Sequence, residues 1–106
     1  EIASCLVGSE MCIETDSASK GAVNSFTKAL AKELAPSNIR VNAAAFGTID
    51  TRMNSCFSAE ERAALEEEIP IGRYGTPQEA AECIYRLATA PAYLTGQIIT
   101  MDGGWC

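Results

Sequence analysis

Residues 17–36 read SASKGAVNSFTKALAKELAP, and the interpretation of the rest of the chain starts from this stretch. Its apolar residues recur at every fourth position, which places them on one face of an α-helix. Pro36 marks the end of the pattern, because a proline disfavours helical backbone at the residue before it. The stretch predicts an amphipathic helix over residues 17–35, with an apolar stripe made of Ala18, Ala22, Phe26, Leu30 and Leu34.

Apolar runs on either side of this helix predict strands. Residues 39–46 are nearly all apolar and follow a turn at Ser37 and Asn38, which is typical of a strand buried on both faces. Residues 97–101 predict another strand, and residues 2–7 have the pattern of the end of a third.

Two further helices carry start signals in the sequence. Ser58 and Glu61 have the spacing of a capping box and predict a short acidic helix over residues 59–68. Thr76, Pro77 and Glu79 predict a second start, with threonine as the N-cap and proline in the first turn. The apolar positions of this last helix, which ends before Pro91, are Ala80, Ala81, Ile84, Leu87 and Ala88.

The order of these elements predicts an α/β fold. Strand, helix, strand, helix, helix and strand form βαβ units, which build a parallel sheet with right-handed crossovers. A chain of 106 residues has room for one domain. Three strands would leave sheet edges and a helix face uncovered, so we expect residues 1–106 to be one segment of a larger domain.

Composition argues against several classes of function. The net charge of −6, from 14 acidic and 8 basic residues, disfavours nucleic-acid binding, which needs clustered Lys and Arg. No apolar run approaches the ~20 residues that span a bilayer and no secretion signal is visible, so we expect a cytoplasmic protein without membrane contact. The chain has 5 cysteines without CxxC spacing and no histidine. We therefore expect no metal site and interpret the cysteines as small buried hydrophobic residues.

Five stretches, taken in order, carry a family resemblance. They are residues 17–36, 39–43 (IRVNA), 47–51 (GTIDT), 69–77 (IPIGRYGTP) and 95–105 (TGQ at the start, DGGW at the end). They are similar to the central helix of the short-chain dehydrogenase/reductases, the strand after it, the loop that closes over the nicotinamide, and the last loop and strand. Within this family they resemble most the bacterial 3-oxoacyl-acyl-carrier-protein reductases.

The resemblance implies a doubly wound Rossmann sheet and an NAD(P)H-dependent oxidoreductase that reduces a small-molecule or acyl-carrier-bound carbonyl. It also implies a homo-oligomer, a tetramer, whose interfaces are the central helix and the last helix and strand. The family's Gly-rich cofactor turn has no counterpart in this sequence. We therefore expect residues 1–106 to be a C-terminal segment of about three strands and three helices, with the N-terminal dinucleotide-binding half absent.

The family's Tyr-x-x-x-Lys pattern falls on Asp16 and Lys20. In the family the tyrosine donates a proton to the carbonyl, while the lysine holds the nicotinamide ribose and lowers the pKa of the phenol. Here Asp16 occupies the tyrosine position, and an aspartate is ionised at neutral pH and donates a proton poorly. We expect Asp16 and Lys20 to form an ion pair near the start of the helix, where Asp16 also interacts with the helix dipole.

The family's catalytic serine falls near the start of the chain. Counting back from Asp16 by the family's spacing reaches Ala3 or Ser4, and alignment on Gly8 brings Cys5 to the same place. These three positions remain open. Ser4 has the hydroxyl that could hold a substrate carbonyl. Alternatively, it is a serine at the end of a strand with no role in binding or catalysis.

The expected cofactor contacts come mainly from residues 47–51. The resemblance places Thr51 and the backbone around Ile49 beside the nicotinamide carboxamide, Gly47 at the turn, and Lys20 on the ribose. The family's Pro-Gly is here Phe46-Gly47, so a rigid turn is lost. The alternative role of Thr51 is that of a cap or turn hydroxyl.

Two functions follow, a ketone reductase and a non-catalytic assembly piece. Arg73 and Tyr74 lie in the last loop, where they could touch an acyl substrate, although we favour a solvated loop for both. A carboxylate hydrolase using Glu14, Asp16 or Asp50 is a distant third, because no organised partner accompanies these residues.

Overall fold

The computed structural model describes residues 11–52 and 57–105, with side chains from residue 14 onward. The predicted strand at residues 2–7 lies outside these residues. The described helices and strands are α1 (Met11–Leu34), a single 3₁₀ turn (Ala35–Ser37), β1 (Ala43–Phe46), α2 (Ala59–Glu68), α3 (Pro77–Ala88) and β2 (Ile98–Met101).

The described strands form a parallel pair, as the element order predicts. Ala43 lies opposite Ile98 and Phe46 lies opposite Met101. The chain between them contains α2 and α3, so the strands are joined by a helical crossover. The α/β class and the parallel sheet are confirmed.

β1 is shorter than predicted and is not buried on both faces. Three of its residues are half-buried and Phe46 is exposed. Residues 40–42 lie before the strand, where side chains supply many of the hydrogen bonds. Arg40 donates to the carbonyls of Leu87 and Ala88 at 3.0 and 2.7 Å, which caps the end of α3. Asn42 accepts from the backbone N–H of Gln97 at 3.0 Å.

α1 is confirmed as a helix, but it begins at Met11, and only Leu30 and Leu34 of the predicted apolar stripe are half-buried. Among the side chains of α1 from residue 14 onward, Thr27 and Ala31 are buried, at 5% and 3% exposed. Phe26, at the centre of the predicted stripe, is 64% exposed. The helix ends at Leu34, and the predicted turn follows with Asn38 in the left-handed conformation at a φ of 62°.

Both predicted helix starts are confirmed. Ser58 Oγ accepts from the N–H of Glu61 at 3.2 Å, and the Glu61 carboxylate accepts from the N–H of Ser58 at 2.9 Å. Thr76 and Glu79 make the same reciprocal pair at 3.1 and 2.9 Å. α2 therefore covers the predicted residues 59–68, and α3 starts at Pro77.

The buried core of the described residues is small. Besides Thr27 and Ala31 it contains Ile69 and Tyr74, each 3% exposed, which come from the loop between α2 and α3. None of the described helices combines the length and the apolar character that crossing a bilayer requires.

Candidate active site

The candidate site lies where the two parallel strands end side by side. Gly47 follows β1, and its N–H donates to the carbonyl of Met101, the last residue of β2, at 3.0 Å. A Cβ atom on Gly47 would lie 2.7 Å from Cβ and 2.8 Å from Cα of Asp102, so a larger residue does not fit without a backbone shift. In open α/β sheets, ligands bind outside the carboxyl ends of the strands, and the chain after Gly47 begins at this edge.

The loop after Gly47 is held by a second, short ladder. Ile49 forms a parallel bridge with Gly75. The N–H of Gly75 donates to the carbonyl of Thr48 at 2.9 Å, and the N–H of Asp50 donates to the carbonyl of Gly75 at 2.8 Å. Residues 48–50 are therefore held against the loop before α3, and Thr51 follows with an exposed side chain.

A cavity of about 250 Å³ lies beneath this ladder. Its apolar wall includes Ile49, Ile69 and Met101, and its polar wall includes Thr48 and Asp102. Pockets that enclose a whole small ligand usually measure about 300–1,000 Å³. At about 250 Å³, this cavity is too small to enclose a dinucleotide.

Arg73 holds the loop before α3 in place. Its guanidinium pairs with both carboxylate oxygens of Glu79 at 2.8 and 2.9 Å and donates to the carbonyl of Tyr74 at 2.9 Å. Arg73, with a further contribution from the N–H of Thr76, lowers the pKa of Glu79 from 4.5 to about 2. The Arg73 side chain is 49% exposed, as expected for a solvated loop, and its guanidinium is bonded within the fold.

Tyr74 corrects the prediction of a solvated loop. Its side chain is 3% exposed, and its hydroxyl oxygen is buried without a hydrogen-bond partner within the described residues. The Arg62 guanidinium lies 4.4 Å from the centroid of the ring. Arg62 also binds both oxygens of Asp50 at 3.1 Å, and this pairing is the main reason that the pKa of Arg62 is raised.

The predicted ion pair between Asp16 and Lys20 is present. Lys20 Nζ lies 3.2 Å from Asp16 Oδ2; the lysine is exposed and the aspartate is half-buried. Because α1 begins at Met11, Asp16 lies in the second turn of the helix. The helix dipole acts mainly over the first turn, so the expected interaction of Asp16 with the dipole is a minor one.

The remaining predicted positions divide into two groups. Gly47, Ile49 and Thr51 belong to the loop at the sheet edge, whereas Lys20 and Asp16 lie on α1 and pair with each other. Ser4, together with its alternatives Ala3 and Cys5, lies outside the described residues. Within residues 11–52 and 57–105, no group of three or more His, Cys, Asp or Glu is placed to hold a metal ion.

Sequence reasoning did not foresee the part played by Arg62. Its position after the capping box predicts a place in the first turn of α2, but nothing in that pattern indicates a partner 12 residues earlier in the chain. Cys83, which composition predicts as a buried hydrophobic residue, is free and half-buried. The other cysteines fall among the residues or side chains that the structure does not describe.

The sequence comparisons agree on one family. The family model described as Enoyl-(Acyl carrier protein) reductase matches residues 7–106. An uncharacterised oxidoreductase of Bacillus subtilis, YmfI, is 51% identical over 90 residues, which are 84% of this chain and 37% of that protein. The 3-oxoacyl-acyl-carrier-protein reductase FabG of Aquifex aeolicus is 45% identical over 89 residues, 83% of this chain and 36% of that protein.

A solved structure gives the same result. The 3-oxoacyl-acyl-carrier-protein reductase of Brucella melitensis matches with a TM-score of 0.79 and 40% identity, over 84% of this chain and 34% of that one. The chain thus spans roughly a third of the length of the relatives it matches. By its family model, its relatives and its partial Rossmann fold, the chain belongs to the short-chain dehydrogenase/reductase family of oxidoreductases.

Proposed function

We propose that this chain is the part of an NAD(P)H-dependent carbonyl reductase that closes over the nicotinamide end of the cofactor. The observation that carries the proposal is the position of residues 47–51 at the carboxyl edge of a parallel pair, held there by the ladder to Gly75. Because the Aquifex and Brucella relatives are named 3-oxoacyl-acyl-carrier-protein reductases, the proposed substrate is a 3-oxoacyl or similar carbonyl on an acyl carrier.

The loop residues fit a nicotinamide, and the proton-donor position does not fit a ketone reduction. Gly47 allows the two strand ends to approach closely, and Thr51 presents an exposed hydroxyl. The exposed ammonium of Lys20 suits a ribose hydroxyl, although here it also pairs with Asp16. When bound, NAD(P)H supplies the hydride to the carbonyl carbon. The carboxylate of Asp16 is a poor source of the matching proton.

The rest of the machinery is assigned to residues outside the described part or outside this sequence. We propose Ser4 as the hydroxyl that holds the carbonyl oxygen. We also propose that residues 1–106 correspond to the C-terminal segment of the family domain, and that the dinucleotide phosphates need a Gly-rich turn that this sequence does not contain. We therefore expect cofactor binding only in the protein that is expressed from its complete reading frame.

Cofactor binding tests the proposal directly. The reading frame on the 5′ side of the Glu1 codon and the intact mass of the native protein define what is to be expressed. Titration of that protein with NADH and with NADPH, followed by nicotinamide fluorescence, is expected to show saturable binding of one or both. Residues 1–106 expressed alone are expected to bind neither. If the complete protein binds neither cofactor, the reductase proposal fails.

The second candidate is a non-catalytic association module. It is favoured by Asp16 at the proton-donor position and by an uncovered apolar face on α1, where Val23 is 53% and Phe26 is 64% exposed. In this proposal the chain contributes to a homo-oligomer, a tetramer in the family resemblance, through its helices. The two candidates differ in cofactor binding, since a reductase must bind NAD(P)H and an association module need not.

A further inference from the structure

Arg62 contacts both sides of the ladder that holds the candidate cofactor loop. Asp50 lies one residue after Ile49, and both of its carboxylate oxygens accept from the Arg62 guanidinium at 3.1 Å. Tyr74 lies one residue before Gly75, and the same guanidinium lies 4.4 Å from its ring centroid. One side chain from α2 thus spans the bridge between Ile49 and Gly75.

The two contacts restrict different motions of the loop. A bidentate pair between a guanidinium and a carboxylate fixes the orientation of both groups in a common plane. The ring contact places the guanidinium over Tyr74, whose side chain is buried in the core. Residue 50 is thereby fixed in orientation relative to the core, immediately before Thr51.

We expect the contacts of Arg62 to affect the orientation of residues 48–51 more than the free energy of unfolding of the whole fold. The side chains of Arg62 and Asp50 are 41% and 50% exposed, and exposed ion pairs contribute little to the free energy of unfolding. The remaining ion pair of Arg62, to Glu66, lies within α2 at 3.9 Å and adds little to the loop. The contacts to Asp50 and Tyr74 are the ones that join separate segments of the chain.

We propose that Arg62 is a positioning residue, which orients residues 48–51 for contact with the nicotinamide end of the cofactor. This inference rests on the proposed reductase function. It assigns to α2 a role in cofactor geometry, exerted through Asp50 and Tyr74 and without contact between Arg62 and the cofactor.

The test separates nicotinamide binding from binding of the rest of the dinucleotide. Arg62→Gln is made in the protein expressed from its complete reading frame. It is titrated with NADH, NADPH, and the nicotinamide-free ligands ADP-ribose and ADP-ribose 2′-phosphate. We expect about tenfold weaker binding of the reduced cofactor, because residues 48–51 lose their orientation toward the nicotinamide, and unchanged binding of the nicotinamide-free ligand. A merely structural role would weaken both ligands together and lower the melting temperature.

Further variants make the result specific. Asp50→Asn removes the same pair from the loop side and is expected to give the same selective loss. Arg62→Lys is expected to restore part of the affinity, because an ammonium keeps the charge and loses the planar two-point contact. Arg86→Gln is the matched control, since Arg86 pairs at 2.8 Å with Glu82 on its own helix, and it is expected to change neither affinity.

The outcomes distinguish this inference from the proposed function. If the wild-type protein binds NAD(P)H and Arg62→Gln binds it equally well, the positioning role is wrong and the reductase proposal stands. Equal losses for both kinds of ligand also overturn the positioning role. If the wild-type protein binds neither NADH nor NADPH, the reductase proposal fails and the inference that rests on it fails with it.

Discussion

At the scale of single residues, Asp16 matters most for the proposed chemistry. Its carboxylate lies 3.2 Å from the Lys20 ammonium, so the lysine that the family directs to the ribose has a competing partner on its own helix. The family's proton donor at this position is a phenol. Under the proposed function, one side chain both replaces the expected donor and pairs with the lysine proposed for the ribose.

Asp16→Tyr tests whether only the donor is missing. In the protein from the complete reading frame, we expect this variant to gain at least about 100-fold in the NAD(P)H-dependent reduction of a 3-oxoacyl thioester, because general acid catalysis contributes ~10²–10⁴-fold. The rate is followed by the decrease in nicotinamide absorbance. Asp16→Asn is the control, since it removes the ion pair without adding a donor, and no gain is expected. A variant Asp16→Tyr that binds cofactor and shows no gain would mean that more than the donor has been lost.

Glu79 gives a prediction for the dependence of stability on pH. Arg73 and the Thr76 N–H lower the pKa of Glu79 from 4.5 to about 2, so the folded state favours the ionised form. The resulting stability is complete above about pH 4.5 and is lost as the pH falls toward 2. Glu79→Gln keeps a capping-box side chain and removes the charge.

Thermal melts between pH 6 and pH 2 measure this contribution. We expect the wild-type melting temperature to exceed that of Glu79→Gln at pH 6 and the difference to shrink as the pH approaches 2. Glu82→Gln, which removes the acidic partner of Arg86, is the comparison variant. It keeps Glu79, so its melting temperature is expected to fall at low pH as that of the wild type does. A difference between wild type and Glu79→Gln that stays constant over the whole range would contradict the assignment.

At the scale of elements, predictions succeeded where the deciding interactions are local in sequence. The capping boxes at Ser58 and Thr76 each join residues three apart, and both helix starts were correct. Periodicity gave the apolar stripe of α1, but which positions are buried depends on what packs against the helix. Among the described side chains Thr27 and Ala31 are buried, whereas Phe26 in the stripe is exposed. The pairing of Arg62 with Asp50 is a tertiary contact, so the spacing of the charges did not reveal it.

The junction between β1 and the candidate loop depends on the absence of a side chain at Gly47. In Gly47→Ala the new Cβ would lie 2.7–2.8 Å from Cβ and Cα of Asp102, and one of these atoms belongs to the backbone. We expect the free energy of unfolding, measured by urea denaturation, to fall by roughly 1–3 kcal/mol, the usual cost of overpacking. Affinity for NAD(P)H is expected to fall as well, because the loop that follows is displaced.

Gly21→Ala is the matched control for this substitution. Apart from its chain neighbours and the backbone of its own helix, no described residue has an atom within 4 Å of the Cβ that the change would add, and Gly21 lies inside α1. Alanine in a helix interior is expected to raise stability by roughly 0.5–1 kcal/mol. If Gly47→Ala is as stable as Gly21→Ala, the close approach of Gly47 to Asp102 does not restrict this position.

At the scale of the whole molecule, the described residues bury little and leave much apolar surface exposed. Four of them are buried, Thr27, Ala31, Ile69 and Tyr74, while Phe26 on α1 is 64% exposed. The resemblance predicts that the central helix contacts a second copy of the chain, and the exposed face on α1 supports that proposal. Periodicity alone could not distinguish a face that packs on its own domain from one that packs on a partner.

Phe26→Glu tests whether the apolar face of α1 packs on a second copy of the chain or within its own domain. For the protein from the complete reading frame, we expect sedimentation velocity at a fixed concentration to show a smaller assembly in this variant, because a charge at a buried interface is costly. Tyr93→Glu is the control, since Tyr93 is fully exposed and lies outside the helices, and it is expected to keep the wild-type mass. A lower melting temperature with an unchanged mass would mean that the face packs within one molecule. If mass and melting temperature both stay unchanged, Phe26 is exposed to solvent and the proposed interface on α1 is wrong.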